Sequence, residues 1–315
     1  MCFGRWNMMA AVKSRRESLW LFALFFCYAL AMLLATAGSR TVAESARSGM
    51  RLAMEIILPS VLPFMIFSEI VVAVIDFSQL RRTGGFFGRA FGLGASALGA
   101  IVIGTLAGFP IGARMVADAY RSGALSRDEA ERAVVIASTP SLAFTVSGVG
   151  GGMLGDTRVG LALYFSVVAA SLLYGFLTRR GSVPTVAEGR KRQRLDLSRS
   201  ISSAATACLG IVVTVTLFSV VTGLLCEVVG ESTLLSLILP FIEVSTACSR
   251  LCEMGGGLSL ILVAFALGFS GLSVHLQIRS ALADTDLGYS RFLRGKLAIG
   301  LLAAAIFSIL QMLIK

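Results

Sequence analysis

Long apolar runs alternate with short charged gaps along the whole chain. The first run, residues 19–37, contains no charged residue and is long enough to span about 30 Å of hydrocarbon. Three later runs are uninterrupted, whereas most others are broken by prolines, glycine pairs or charges, a pattern typical of re-entrant hairpins and broken helices. The candidate runs lie near residues 19–37, 52–77, 86–109, 133–153, 159–177, 203–229, 233–253, 258–274 and 298–314. The pattern predicts an all-α polytopic membrane protein with about eight transmembrane helices.

The composition supports this fold class. Apolar residues make up 56% of the 315 positions, charged residues 15%, and the mean hydropathy is +0.83. Soluble domains have about 45–50% apolar and roughly 25% charged residues. We therefore expect a multi-pass protein of the cell membrane with the lipid bilayer as a partner.

The charged gaps predict the topology. Basic residues exceed acidic residues most strongly in the linker at residues 178–200, which we place in the cytoplasm together with the N-terminal segment 1–18. The linker separates a first membrane half, residues 19–177, from a second half, residues 201–315. The net charge of +10 lies in the gaps between spans instead of on one face, so nucleic acid is not an expected partner.

The first apolar run has two interpretations. Basic residues precede it and residues 35–37 read Ala-Thr-Ala, which is typical of a signal-peptide cleavage site. The run is longer than a usual signal-peptide core and many apolar runs follow. We favour an uncleaved first helix.

The interruptions suggest two repeats. Residues 62–64 (LPF) and 108–112 (GFPIG) recur in the second half as residues 239–241 (LPF) and 268–272 (GFSGL). Paired interrupted segments at corresponding positions indicate a binding site at the interface between repeats. We predict that the segments around Pro59–Pro63 and around Pro240 are both discontinuous and meet near the bilayer midplane.

Two acidic residues lie in apolar surroundings shortly after these prolines. Glu69 and Glu243 would each cost about 2.5–3.5 kcal/mol at the centre of a transmembrane helix. We predict that each binds a coupling ion, accepts a proton or contacts the substrate. The alternative is a carboxylate near the interface or one satisfied by a neighbouring helix.

Polar groups at the other interruptions complete the candidate site. Arg114 directly follows the 108–112 motif and could bind a carboxylate bidentately, or else extend to lipid headgroups. The hydroxyl residues around Pro140 and after Glu243 could bind ligand or bond back to the preceding turn. Gly104, Gly108 and Gly112 are also explained by close helix packing. The predicted substrate-binding residues are Gly108, Phe109, Pro110, Gly112, Arg114, Ser138, Thr139, Ser141, Ser245, Thr246, Ser270, Ser273, His275 and Gln277.

Catalytic and metal motifs are missing from the sequence. There is no zinc motif, no Walker loop and no Ser/His/Asp set, and His275 is the single histidine. A short S-x-x-E sequence at residues 126–129, after Gly123, predicts a capping box. We expect no enzyme activity, no cofactor and no metal site. A homo-oligomer is left open.

Five segments resemble a known family. Residues 58–69 (LPSVLPFMIFSE), 108–114 (GFPIGAR), 123–131 (GALSRDEAE), 243–246 (EVST) and 268–277 (GFSGLSVHLQ) are similar to the YlbJ-type sporulation integral membrane proteins. These are nucleoside-recognition, or Gate-domain, membrane proteins, related in architecture to concentrative nucleoside transporters. The resemblance covers residues 48–296.

The resemblance implies a function that composition does not indicate. It implies transport of dipicolinate (pyridine-2,6-dicarboxylate) across a membrane of the developing spore, such as the outer forespore membrane. The family has asparagines near residues 138–141 and Thr-Asn-Gly after the residue matching Glu243, whereas this chain has Ser-Thr-Pro-Ser and Ser-Thr-Ala. Alternatives are a nucleoside transporter of the same fold and a membrane scaffold for spore assembly that transports nothing.

Overall fold

The computed structural model describes residues 40–74, 88, 90–179, 197–230 and 233–314. These residues form helices joined by short turns, and no strand occurs among them. The predicted first helix at residues 19–37 and most of the linker at residues 178–200 lie outside the described residues, so both stay predictions. The α-helices are α1 (Arg40–Arg51), α2 (Leu58–Val74), α3 (Ala95–Ala107), α4 (Ile111–Arg121), α5 (Arg127–Ala137), α6 (Thr157–Leu177), α7 (Leu197–Val229), α8 (Thr233–Ile242), α9 (Val244–Met254), α10 (Gly256–Phe269), α11 (Gly271–Ala281) and α12 (Tyr289–Ile314). Two π-helices lie at Leu52–Ile57 and Ala143–Met153.

Five helical segments of the described chain are long and apolar enough to cross a membrane. They are Arg40–Phe67, Thr157–Leu177, Ala204–Val229, Gly256–Ala281 and Tyr289–Leu313. The predicted fold class, an all-α, multi-pass membrane protein, is confirmed. The count of eight and the internal repeat stay predictions.

The expected break at Pro59–Pro63 is wrong. The chain is helical without interruption from α1 through the π-helix Leu52–Ile57 into α2. The π-helix shifts the backbone hydrogen bonds by one residue, and the Ser60 hydroxyl donates to the carbonyl oxygen of Ile56 at 2.7 Å. Such adjustments satisfy carbonyls that a proline would leave without a donor in a membrane helix.

Helices α3 and α4 form a hairpin whose tip is residues 108–110. Gly108 has a φ of 83°, which favours glycine, and the backbone reverses there. Across the hairpin, a Cβ at Gly112 would lie 2.8 Å from the Cα of Gly104 and would also meet the Ala137 carbonyl. The G-x-x-x-G spacing therefore serves close helix packing.

Helix α5 returns to the tip of this hairpin. It begins with the predicted capping box, in which Ser126 accepts a hydrogen bond from the Glu129 N–H at 3.3 Å while the Ser126 N–H donates to the Glu129 carboxylate. Gly123 adopts the expected positive φ of 74° just before it. After α5 the chain is non-helical at residues 138–141, where the Thr139 carbonyl accepts from the Phe109 N–H at 3.0 Å. The hairpin tip and this break, called here the 138–141 break, are held together by backbone hydrogen bonding.

The second half of the described chain also contains two helices that meet at a short interruption. Helix α8 ends after Pro240, Glu243 interrupts the helix, and α9 begins at Val244. Helix α10 then returns to a break at Ser270, whose φ is 77°, and a Cβ at Gly271 would lie 3.1 Å from the Cα of Glu243. The predicted repeat pairs the 108–112 motif with residues 268–272, and this pairing stays a prediction.

One end of the molecule is held by a charged cluster. Arg132 is 3% exposed and donates to the Asp128 carboxylate at 3.0 Å and to the carbonyls of Phe91 and Gly92. Arg291 at the start of α12 binds the same Asp128 carboxylate at 2.9 Å. The cluster joins the first half of the chain to α12 beside the polar end of α5.

Candidate functional site

Two neighbouring cavities lie where the interruptions meet. The outer cavity has a volume of about 810 Å³ and the inner cavity about 50 Å³. Both are lined by Met65, Ile211, Thr214 and Gln277, so these side chains separate the two spaces. The outer volume lies within the range of about 300–1,000 Å³ found for small-molecule sites.

Glu243 forms the polar end of the inner cavity. Its carboxylate accepts a hydrogen bond from the Thr246 N–H at 2.6 Å and thereby caps the N-terminus of α9. The Ser273 hydroxyl donates to the other oxygen at 3.4 Å. Glu243 is 3% exposed and lines the cavity together with Ser245. A carboxylate has about four lone-pair sites that can accept from the protein, accept from a ligand or hold a cation.

The first half contributes the opposite wall of the inner cavity. Phe109 from the hairpin tip and Ser141 from the 138–141 break both line it. Ser141 Oγ accepts a hydrogen bond from the Phe144 N–H at 3.1 Å. The interruptions of the two halves therefore converge on one space, and its lining includes Ser141, Glu243, Ser245, Ser273 and Gln277. The binding roles predicted for these residues stay predictions.

Arg114 lies in the outer cavity. It is on the first turn of α4, after Pro110, which also lines the cavity. Arg114 is exposed, and no residue that the structure describes forms an ion pair or hydrogen bond with its guanidinium. Within the described lining of the outer cavity it is the single charged side chain.

Sequence reasoning missed the α7 wall of the outer cavity. Ser198, Ser202, Thr206, Gly210 and Thr214 occupy every fourth position of α7 and all line the cavity. A spacing of four places small and hydroxyl residues on one helix face. This polar stripe is visible in the sequence, but hydropathy alone predicts a plain apolar span over Ala204–Cys226.

Several predicted site residues lie outside both cavity linings. His275 is buried, with its Nδ1 at 2.7 Å from the Tyr289 hydroxyl and its Nε2 at 2.9 Å from the Phe269 carbonyl. Thr246 Oγ1 is 3.2 Å from Ser219 Oγ. The remaining residues outside the described linings shape the backbone at the interruptions or support it, and they are Gly108, Gly112, Ser138, Thr139 and Ser270.

Two further charged residues, Glu69 and Lys296, lie on helices that contribute to this region. Glu69 belongs to α2, but its side chain is outside the described part of the structure, so its predicted role stays a prediction. Lys296 was not among the predicted residues. It is fully buried on α12, and its Nζ donates to the Ser138 carbonyl at 2.7 Å.

These features define a multi-pass helical membrane protein in which interrupted helices surround two cavities, each with polar and apolar lining residues. Among curated proteins, the chain is similar to the sporulation integral membrane protein YlbJ of Bacillus subtilis (strain 168), with 26% identity over 319 aligned residues. The alignment covers 85% of this chain and 77% of that protein. The YlbJ-type resemblance predicted from the motifs is confirmed. No protein-family model matches the chain, and no solved structure matches it.

Proposed function

We propose that this protein transports a small organic anion across a membrane and that the anion binds Arg114 in the outer cavity. The proposal rests on one observation about Arg114. Its guanidinium lines a cavity of about 810 Å³ and forms no ion pair with any described residue. A planar guanidinium with free donors binds a carboxylate bidentately.

The cargo we propose is dipicolinate, moved from mother cell to forespore across the outer forespore membrane. This choice follows from the YlbJ-type resemblance, and the chemistry of the cavity supports it. Arg114 can bind one carboxylate, while Gln277 and the hydroxyls of α7 can donate to the second carboxylate. The relative's name describes a sporulation integral membrane protein, which supports the proposed setting.

The inner cavity is the next position on the proposed route. It is too small for an aromatic dicarboxylate as it stands, so the hairpin tip and α9 must separate during transport. On one side of this space Phe109 lies between α3 and α4, and on the other side Glu243 lies between α8 and α9. Discontinuous segments of this kind move in alternating access. Glu243 then meets the coupling ion or proton as the cargo passes.

Uptake into proteoliposomes tests the proposal. Labelled dipicolinate, picolinate and uridine are supplied separately to vesicles that contain the purified protein, with empty vesicles as the control. We expect saturable dipicolinate uptake that unlabelled dipicolinate inhibits more strongly than picolinate, because the monocarboxylate lacks the second charged contact. Uptake of uridine alone would support the nucleoside alternative. Binding and uptake of none of the three would support the scaffold.

A further inference from the structure

Lys296 is a buried lysine outside the site proposed above. It is 0% exposed, and among the described residues its Nζ has one hydrogen bond, to the Ser138 carbonyl oxygen at 2.7 Å. Within the described part of the chain, no carboxylate lies close enough to form an ion pair with it. Lysines buried without a counter-ion are rare in membrane proteins and mark functional positions.

The position of Lys296 excludes a surface role. It lies seven residues into α12, about 10 Å along the helix axis, between the fully buried Phe292 and Ile299. Arg294, closer to the start of the helix, is exposed. A leucine or methionine would fill the space at Lys296 without a buried charge, so helix packing alone does not explain the lysine.

The ammonium acts on the end of α5. Ser138 is the residue that ends this helix, where the unpaired carbonyls carry partial negative charge. The next carbonyl, that of Thr139, binds the Phe109 N–H of the hairpin tip at 3.0 Å. Ser141, two residues further, lines the inner cavity and lies against Gly108. Lys296 is therefore linked to the cavity wall through the backbone of residues 138–141.

Ser138 also has an unused oxygen. Its Oγ is buried and has no hydrogen-bond partner among the described groups. The Ser138 carbonyl oxygen and hydroxyl oxygen together are the type of ligand that binds alkali cations at unwound helix ends in transporters. In this chain the Nζ of Lys296 binds the Ser138 carbonyl oxygen, and the hydroxyl oxygen beside it has no partner among the described groups.

We propose that Lys296 is a resident cation, a side-chain ammonium that fills a monovalent-cation site at the 138–141 break and so positions the hairpin tip beside the inner cavity. Lys296 is a positioning residue and does not contact the cargo. Because the ammonium fills this site, we expect cargo binding not to require sodium or potassium at this point. The cargo-binding part of the inference rests on the proposed function; the cation site does not.

Removal of the ammonium and its replacement from solution test the inference. Lys296→Ala removes the atoms that propylammonium supplies, and 1-propanol has nearly the same shape without the charge. We expect Lys296→Ala to lower the thermal unfolding temperature of the purified protein and to weaken dipicolinate binding at least about tenfold. Propylammonium should restore both quantities, 1-propanol should restore neither, and the parent should respond to neither compound.

Three further variants and one change of buffer cation make the test decisive. Lys296→Arg keeps a cation and should retain more binding than Lys296→Met, which keeps most of the volume without charge and folds even if the alanine variant does not. Lys191→Ala, in the linker, is the matched control and should behave as the parent. The parent should bind dipicolinate equally in sodium and in choline buffers.

Any one of three outcomes would overturn the inference. The first is that 1-propanol restores the unfolding temperature and dipicolinate binding of Lys296→Ala as well as propylammonium does. The others are that Lys296→Met binds dipicolinate as tightly as the parent, or that the parent needs sodium to bind dipicolinate. If the parent binds no cargo at all, the proposed transport function fails, and the propylammonium effect on the unfolding temperature still decides whether Lys296 occupies a cation site.

Discussion

Buried polar side chains in this protein are concentrated where helices are interrupted. Glu243, Ser141 and Ser273 are each at least 93% buried, yet they lie within or beside breaks, where backbone donors and acceptors are available. Burial of a polar group without a partner is costly, and a helix end supplies partners that a continuous helix does not. The same positions therefore satisfy the folding requirement and provide chemistry for a ligand.

Arg114→Lys tests the anion contact. The lysine keeps the charge but loses the planar pair of donors, so we expect dipicolinate affinity to fall about tenfold to a hundredfold while the thermal unfolding temperature stays within a few degrees of the parent. Equilibrium binding and proteoliposome uptake measure the effect. Arg158→Lys, an exposed arginine at the start of α6, is the control. Unchanged affinity in Arg114→Lys would place the anion elsewhere.

Glu243→Gln separates cargo binding from coupling. The amide has the same shape and can still accept from the Thr246 N–H, so the cap of α9 is retained. We expect cargo exchange across vesicles to continue and gradient-driven accumulation to be lost, because glutamine neither binds a proton nor neutralises a cation. Counterflow and driven uptake are measured on the same vesicles. Normal accumulation by the variant would leave Glu243 with a capping role.

At the scale of elements, the hairpin of α3 and α4 depends on backbone contact. Its two helices approach at Gly104 and Gly112, and the Ala137 carbonyl of α5 lies against both glycines. Three helices thus meet where no side chain fits. This close packing brings the hairpin tip to the 138–141 break, so the geometry of the inner cavity depends on two glycines outside its lining.

Gly112→Ala tests that packing. The added Cβ would lie 2.8 Å from the Gly104 Cα, and the neighbouring atoms are backbone that cannot move cheaply. We expect a loss of about 1–3 kcal/mol in stability, as for other overpacked cores, together with weaker cargo binding. The readouts are the thermal unfolding temperature and dipicolinate affinity. Gly210→Ala on α7, with no atom within 4 Å of the new Cβ, is the control for stability, and equal stability of the two variants would contradict the packing argument.

At the scale of the whole molecule, the cluster around Asp128 connects α5 in the first half of the chain to the start of α12 in the second half. Burial of Asp128 acts to raise its pKa, but the hydrogen bond from Arg291 and the charge of Arg132 outweigh it and hold the pKa below the ordinary value. The exposed Asp286 also has a lowered pKa because the Tyr120 hydroxyl donates to its carboxylate. Both acids therefore favour the folded state most strongly when ionised.

Asp128→Asn tests the cluster and its pH dependence. The stabilisation by a carboxylate with a lowered pKa is present above its unfolded value of about 3.9 and is lost as the pH falls through the folded value. We expect the free energy of unfolding of the variant to be about 1–3 kcal/mol below that of the parent at neutral pH. On acidification below about pH 4, the free energy of unfolding should fall less in the variant than in the parent. Thermal unfolding across pH measures both. Asp284→Asn, whose carboxylate is 88% exposed, should match the parent. Parallel acid curves for Asp128→Asn and the parent would contradict the assignment.

The sequence by itself determined the features that depend on neighbouring residues. Apolar runs predicted the membrane class, the S-x-x-E sequence predicted the cap of α5, and Gly123 predicted the turn before it. The break near Pro240 and the burial of Glu243 also follow from local pattern, because a carboxylate within an apolar segment requires donors and an interruption provides them.

Tertiary structure decided which segments meet. Proline chemistry alone predicted a break at residues 59–63, but the π-helix and the Ser60 hydroxyl keep that helix continuous. The pairing of the 108–110 tip with the 138–141 break, the cavity-facing side of α7, and the contact between Lys296 and Ser138 all join residues distant in the chain. Apolar helix faces are chemically alike, so hydrophobicity indicates that each helix is buried but not against which neighbour; glycine contacts and single hydrogen bonds select the partner.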